Sequence, residues 1–160
     1  MRTHTGVLLG VLLSAAGAGD AAAQRAEILL GGGGTFSGAD VSAVNGHAMI
    51  GALARVTPNV GVRIDGVYTP TDSDDLIGLS ADAVVSFGAA DARISPYLLG
   101  GGTVFFSGGE TDFGINGGLG IRVATGKRLG VFIEGRYFKV FDVVNDDLIY
   151  VTAGLSIALP

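Results

Sequence analysis

The 160-residue chain has no cysteine and no tryptophan, and only 16 % of it is charged. Without cysteine there is no disulfide framework, no thiolate metal site and no lipoprotein anchor. An ordinary soluble domain carries about 25 % charged residues, so the shortage here is pronounced. Basic residues are the scarcer sign, 10 Lys and Arg against 15 Asp and Glu, which disfavours a nucleic-acid binder. Beyond the N-terminus no charge-free run suits a membrane helix: the longest, 94–109, is interrupted by Pro96 and by glycines. What is abundant is apolar residues, 48 %, and glycine, 28 positions. That apolar content excludes a disordered chain. Interior glycines cost a helix about 1 kcal/mol each, so a helical fold is disfavoured, and the three-residue period of collagen is absent.

The N-terminus reads as an export signal. Arg2 precedes an apolar run from Val7 to Ala18, and Ala21-Ala22-Ala23 supplies small residues for cleavage. The run is shorter than the roughly 20 residues of a membrane-spanning helix, which favours a cleaved signal over an anchor. The expected organisation is a signal peptide over 1–23 and one domain over 24–160.

Period-two alternation dominates the rest, the mark of strands with two unlike faces. Val60, Val62, Ile64 and Tyr68 alternate with Asn59, Gly61, Arg63, Asp65 and Thr69. Ile77, Leu79, Ala81, Ala83, Val85 and Phe87 alternate with Gly78, Ser80, Asp82 and Ser86. The same holds for Phe113 to Val123, for Leu129 to Tyr137, and for Ile149 to Leu159 against Tyr150, Thr152, Gly154, Ser156 and Ala158. Segments 27–36 and 44–56 alternate less regularly, and 94–106 is apolar on both faces, so its orientation stays open. Eight strands are expected.

Short turns (Thr57-Pro58, 89–92 and 124–127) are expected to alternate with longer acidic connectors: 37–43, 70–75, 107–112 and 142–147. An up-and-down topology then gathers the acidic connectors at one end, with Arg93, Lys127 and Arg128 at the other.

Alternation alone does not say which face is outside. The polar face is mostly Gly, Ser, Asn and Thr, with Arg63, Asp65, Asp82, Arg122, Glu134 and Arg136 summing to zero charge. Small residues with balanced charges suit a crowded interior better than a solvated sheet. The aliphatic face in strands of about ten residues suits lipid. Phe36, Tyr68, Phe106, Phe113, Tyr137, Phe141 and Tyr150 all fall near the acidic end of their strands, where an interfacial aromatic girdle is expected. The other arrangement is a soluble lipocalin-like barrel that turns its aliphatic face inward around a small apolar ligand.

Three stretches and the alternating last strand carry a resemblance. They are Pro96-Tyr97-Leu98-Leu99-Gly100-Gly101-Gly102, Asp112 through Gly120 (Asp-Phe-Gly-Ile-Asn-Gly-Gly-Leu-Gly) and Glu134-Gly135-Arg136-Tyr137. In these the chain resembles the small eight-stranded outer-membrane β-barrel proteins of Gram-negative bacteria, the OmpA-like and opacity-protein-like group. The resemblance implies an antiparallel up-and-down transmembrane barrel, integral to the outer membrane. It also implies contact with outer-membrane lipid, lipopolysaccharide and the outer-membrane assembly machinery. Members often end in an aromatic residue that this machinery reads, whereas this sequence ends Leu159-Pro160.

An eight-stranded barrel is just wide enough for its own side chains, so the six inward charges are expected to form a packed network. The acidic connectors, with Asp72, Asp74, Asp75, Asp146 and Asp147, suit divalent cations, but 72–75 lacks the glycine and closing glutamate of an EF-hand loop. Catalysis finds little support. His47 is the one histidine after the signal, and a His47–Ser pair across strands is the arrangement that a lipid A-modifying enzyme would need. The glycine runs 31–34 and 100–102 lack the Gly-Lys-Ser/Thr ending of a phosphate loop and are expected where the sheet bends tightly. A non-enzymatic barrel without cofactor or metal is the expected function; a narrow pore is a further option.

Overall fold

The computed structural model describes residues 26–37, 40–71, 75–89, 92–141 and 147–160. The expected signal segment lies outside them. Eight strands follow one another: β1 (Ala26–Ser37), β2 (Asp40–Arg55), β3 (Val60–Thr69), β4 (Leu76–Ser86), β5 (Ile94–Ser107), β6 (Glu110–Ala124), β7 (Leu129–Phe141) and β8 (Asp147–Ala158). Each pairs antiparallel with the next, and β8 returns to β1 over Glu27↔Ala158 to Ser37↔Leu148, closing the barrel. Closure satisfies the backbone of every strand without leaving an edge.

The faces sort as the alternation predicts. Ile50, Val62, Ile64, Ile115, Leu119 and Ile133 are exposed on the outer wall, while Arg63, Asp65, Asp82, Glu134 and Arg136 are each no more than 2 % exposed within it. This is the reverse of a lipocalin-like barrel. β5 takes the orientation the sequence left open: Tyr97, Leu99, Thr103 and Phe105 point inward, Leu98 and Phe106 outward. The ten residues of β3 extend about 33 Å, which a tilt of roughly 40° reduces to the ~25 Å of an apolar membrane band.

Two expected connectors are corrected. Residues 37–43 are not a long loop: β1 and β2 stay paired to Ser37↔Asp40 across a register shift after Phe36. Residues 107–112 likewise belong almost wholly to strand. Gly108 (φ 56°) and Gly109 (φ 92°) form a two-residue hairpin turn, so β5 and β6 run on to Ser107↔Glu110. Positive φ at both central positions matches the twist of the flanking strands, which glycine permits without a steric cost.

The girdle also needs one correction. Tyr68, Phe106, Phe113, Tyr137 and Phe141 are exposed on the outer wall at the loop end, but Tyr150 is 2 % exposed and faces the lumen. Its position on the inward phase of β8 decides this, not its depth along the strand.

Candidate functional site

The lumen is the candidate site, and its centre is a charge cluster built on opposite walls. Arg63 and Asp65 project from β3, Glu134 and Arg136 from β7, four strands apart in a ring of eight. Arg63 donates from Nη1 to Glu134 Oε2 (2.6 Å) and from Nε to Asp65 Oδ2 (2.8 Å). Arg136 Nη1 donates to Asp65 Oδ1 (2.8 Å), and its Nη2 donates to Asp82 on β4. The ion pairs therefore cross the full width of the barrel.

Neutral groups complete the cluster. Tyr97 on β5 donates its hydroxyl to Glu134 Oε2 (2.7 Å), and Asn116 on β6 donates to Asp82 Oδ1 (2.8 Å) and Thr103 Oγ1 (2.9 Å). With two guanidiniums and three carboxylates, the cluster holds one negative charge in excess, and these donors serve the surplus acceptors. Glycines make the room. A Cβ at Gly101 would lie 2.0 Å from Ala81 O and 2.6 Å from Asp82 Oδ1; one at Gly118 would lie 2.8 Å from Arg136 Cγ.

Arg122 does not join this cluster. It meets Glu27 Oε2 at the turn end, where Arg55 Nε also donates to Glu27 Oε1 (3.1 Å). The register explains the separation, since Arg122 sits six strand positions above Asn116 toward the turns. Five of the six expected network residues thus converge, and the sixth belongs to a second cluster with Glu27 and Arg55. Both partners carry a sequence signal, an inward strand phase, but Glu27 lies at the start of a glycine-rich segment where the alternation is weak.

Toward the loops the lumen is aromatic. His47 stacks on Tyr150 (4.9 Å between centroids), Phe138 packs against Tyr150 (4.8 Å) and Phe105 (5.6 Å), and Arg136 lies 5.0 Å over Phe138. The His47 ring nitrogens lie against Thr35 Oγ1 (3.1 Å) and Thr152 Oγ1 (2.8 Å), not against a serine. Tyr150 and His47 stand on the polar phase of their strands in the sequence, whereas inward Phe105 and Phe138 were not read there, because an apolar residue on a mostly polar face is indistinguishable from irregular alternation.

At the rim, Asp75 accepts from Tyr68 Oη (2.8 Å) and Asp147 pairs with Lys139 (2.8 Å); Asp72, Asp74 and Asp146 lie outside the described residues. Among the described residues no three His, Asp or Glu side chains are grouped to hold a metal ion.

The eight-stranded fold has counterparts among solved structures. Neisserial surface protein A (NspA) superposes with a TM-score of 0.70 at 18 % identity, over 82 % of this chain and 96 % of that one. The N-terminal β-barrel domain of Pseudomonas aeruginosa OprF gives 0.67 at 14 % identity, over 85 % and 98 %. The outer membrane enzyme PagL gives 0.54 at 13 % identity, over 82 % and 98 %. Comparisons with protein-family models and with curated proteins find no match. The likeness establishes the fold, that of the small eight-stranded outer-membrane barrels.

Proposed function

We propose that this chain is a non-enzymatic integral outer-membrane protein, exported by a signal peptide over 1–23. In this reading its lumen is closed by side chains and its acidic loop end mediates surface contact or envelope support. The inversion of the two faces carries the reading. A continuous wall of exposed Val, Ile and Leu is unfavourable in water by about 25 cal/mol for each Å² of apolar surface, and lipid removes that cost. The exposed rings at the loop end, Tyr68, Phe106, Phe113, Tyr137 and Phe141, match an interfacial girdle. The cross-lumen ion pairs support a plugged scaffold over a pore. Outer-membrane lipid, lipopolysaccharide and the assembly machinery are the partners this reading requires, with specificity residing in the loops.

Non-enzymatic is the choice within a fold that PagL shares. The reason is local: His47 is 7 % exposed, its ring stacked on Tyr150 and its nitrogens against threonines inside the wall, away from any lipid facing the barrel.

Fractionation tests the reading. The protein is expected in the outer membrane, extractable only by detergent, with heat-modifiable migration and cleavage at the acidic loops by protease added to intact cells. A soluble periplasmic pool would refute it. Lipid A mass profiles are expected to be identical with wild-type and His47→Ala protein; a difference restores the enzyme.

A further inference from the structure

The turn end of the lumen opens into a cavity of about 790 Å³, lined among others by Glu27, Arg55, Arg122, Lys127, Arg128 and Ser156. Four cationic side chains face one carboxylate there. The lining side chains therefore carry an excess of positive charge. Among the described residues neither Lys127 nor Arg128 takes part in an ion pair. Glu27, 2 % exposed, holds Arg55 through Nε and Arg122 through Nη1, which orients both guanidiniums. Arg55 Nη1 also donates to Ser86 Oγ (3.3 Å) and Pro58 O (3.4 Å), but each guanidinium carries five N–H donors, so these contacts still occupy only part of each.

An independent observation points into the same space. Ser156 is 1 % exposed, and its Oγ has no hydrogen-bond partner. A buried hydroxyl without a partner costs about 1–3 kcal/mol, an arrangement that a ligand oxygen at this position would relieve. On the far side, the mid-lumen cluster carries surplus carboxylate, so an anion entering from the turns stops at this vestibule.

We propose that the vestibule binds a dianionic phosphate group. Two oriented guanidinium forks suit its tetrahedral oxygens. Its double charge offsets most of the cationic excess, which a single carboxylate would leave largely uncompensated. The proposal rests on the lumen geometry and stands apart from the function of the loops.

The test titrates inorganic phosphate into the full barrel, refolded in zwitterionic detergent at low salt, by calorimetry. One saturable site per barrel is expected, weakened about tenfold in the R55Q/R122Q variant. Ser156→Ala is the more incisive variant: with no protein contact to lose and an unpartnered hydroxyl removed, its unfolding midpoint in the absence of phosphate is expected at or above wild type while affinity falls about threefold. No saturable binding, or wild-type affinity in both variants, overturns the site. Where R55Q/R122Q gives no heat-modifiable barrel, K127Q/R128Q replaces it, and undiminished affinity there is equally fatal. A second arm embeds the barrel in phosphatidylcholine nanodiscs with or without phosphatidic acid. Competition with inorganic phosphate supports the site and assigns it to a lipid headgroup; undisturbed phosphate binding supports it and assigns it to a soluble phosphate compound.

Discussion

The barrel contains two clusters of arginine and carboxylate that differ in almost everything but residue type. The mid-lumen cluster joins Arg63 and Arg136 to Asp65, Asp82 and Glu134, with side chains 0–2 % exposed. The turn-end cluster joins Arg55 and Arg122 to Glu27, and its arginine side chains are 14 % and 25 % exposed. One has carboxylate in excess, met by donors from Asn116 and Tyr97; the other has guanidinium in excess beside an open cavity. The first therefore acts as internal structure that spans the cylinder, whereas the second keeps binding capacity for something else. Depth decides the difference: a buried ion must find its partners within the protein, while one at a mouth shares them with solvent or ligand.

Arg136→Ala should show that contrast at its strongest. It leaves three buried carboxylates to Arg63 alone, and a loss of about 3–5 kcal/mol is expected in urea unfolding of the barrel in detergent. A wild-type midpoint would mean that the central cluster is wet. Gly101→Ala comes next, at about 1–3 kcal/mol, because its Cβ would press on Ala81 O and Asp82. Gly126→Ala at the turn end, where a Cβ meets nothing within 4 Å, is the matched control and should leave the midpoint in place. Glu27→Gln belongs between the two regions, costing about 1 kcal/mol, since water reaches Arg122 and softens the loss. A larger cost than for Arg136→Ala would reverse the ranking of the clusters. The smallest effect is expected from Asp147→Asn, which breaks an exposed pair with Lys139 at the opposite rim; thermal unfolding should not distinguish it from wild type.

Strand number, strand phase and the inversion of faces were readable because each rests on local alternation, which a closed sheet preserves along every strand. Tyr150 shows the limit of reading by depth: its place among the loop-end aromatics suggested the girdle, but its phase on β8 turns it inward beside His47 and Phe138. Residues 107–112 show another, where acidic composition suggested a loop and a Gly-Gly turn let the strands continue to the tip. Arg122 shows a third: its inward phase was legible, but its height relative to Arg63 was not.

From sequence alone follow a period of two, one aliphatic and one small polar face, glycines where bulk is forbidden, and opposite charge at the two ends. Tertiary structure alone decides which inward charges meet, because barrel closure sets the register of all eight strands together and places β3 across from β7. Height and azimuth within the cylinder are properties of that shared register, so Arg63 finds Glu134 across 71 positions of chain while Arg122 is left to Glu27.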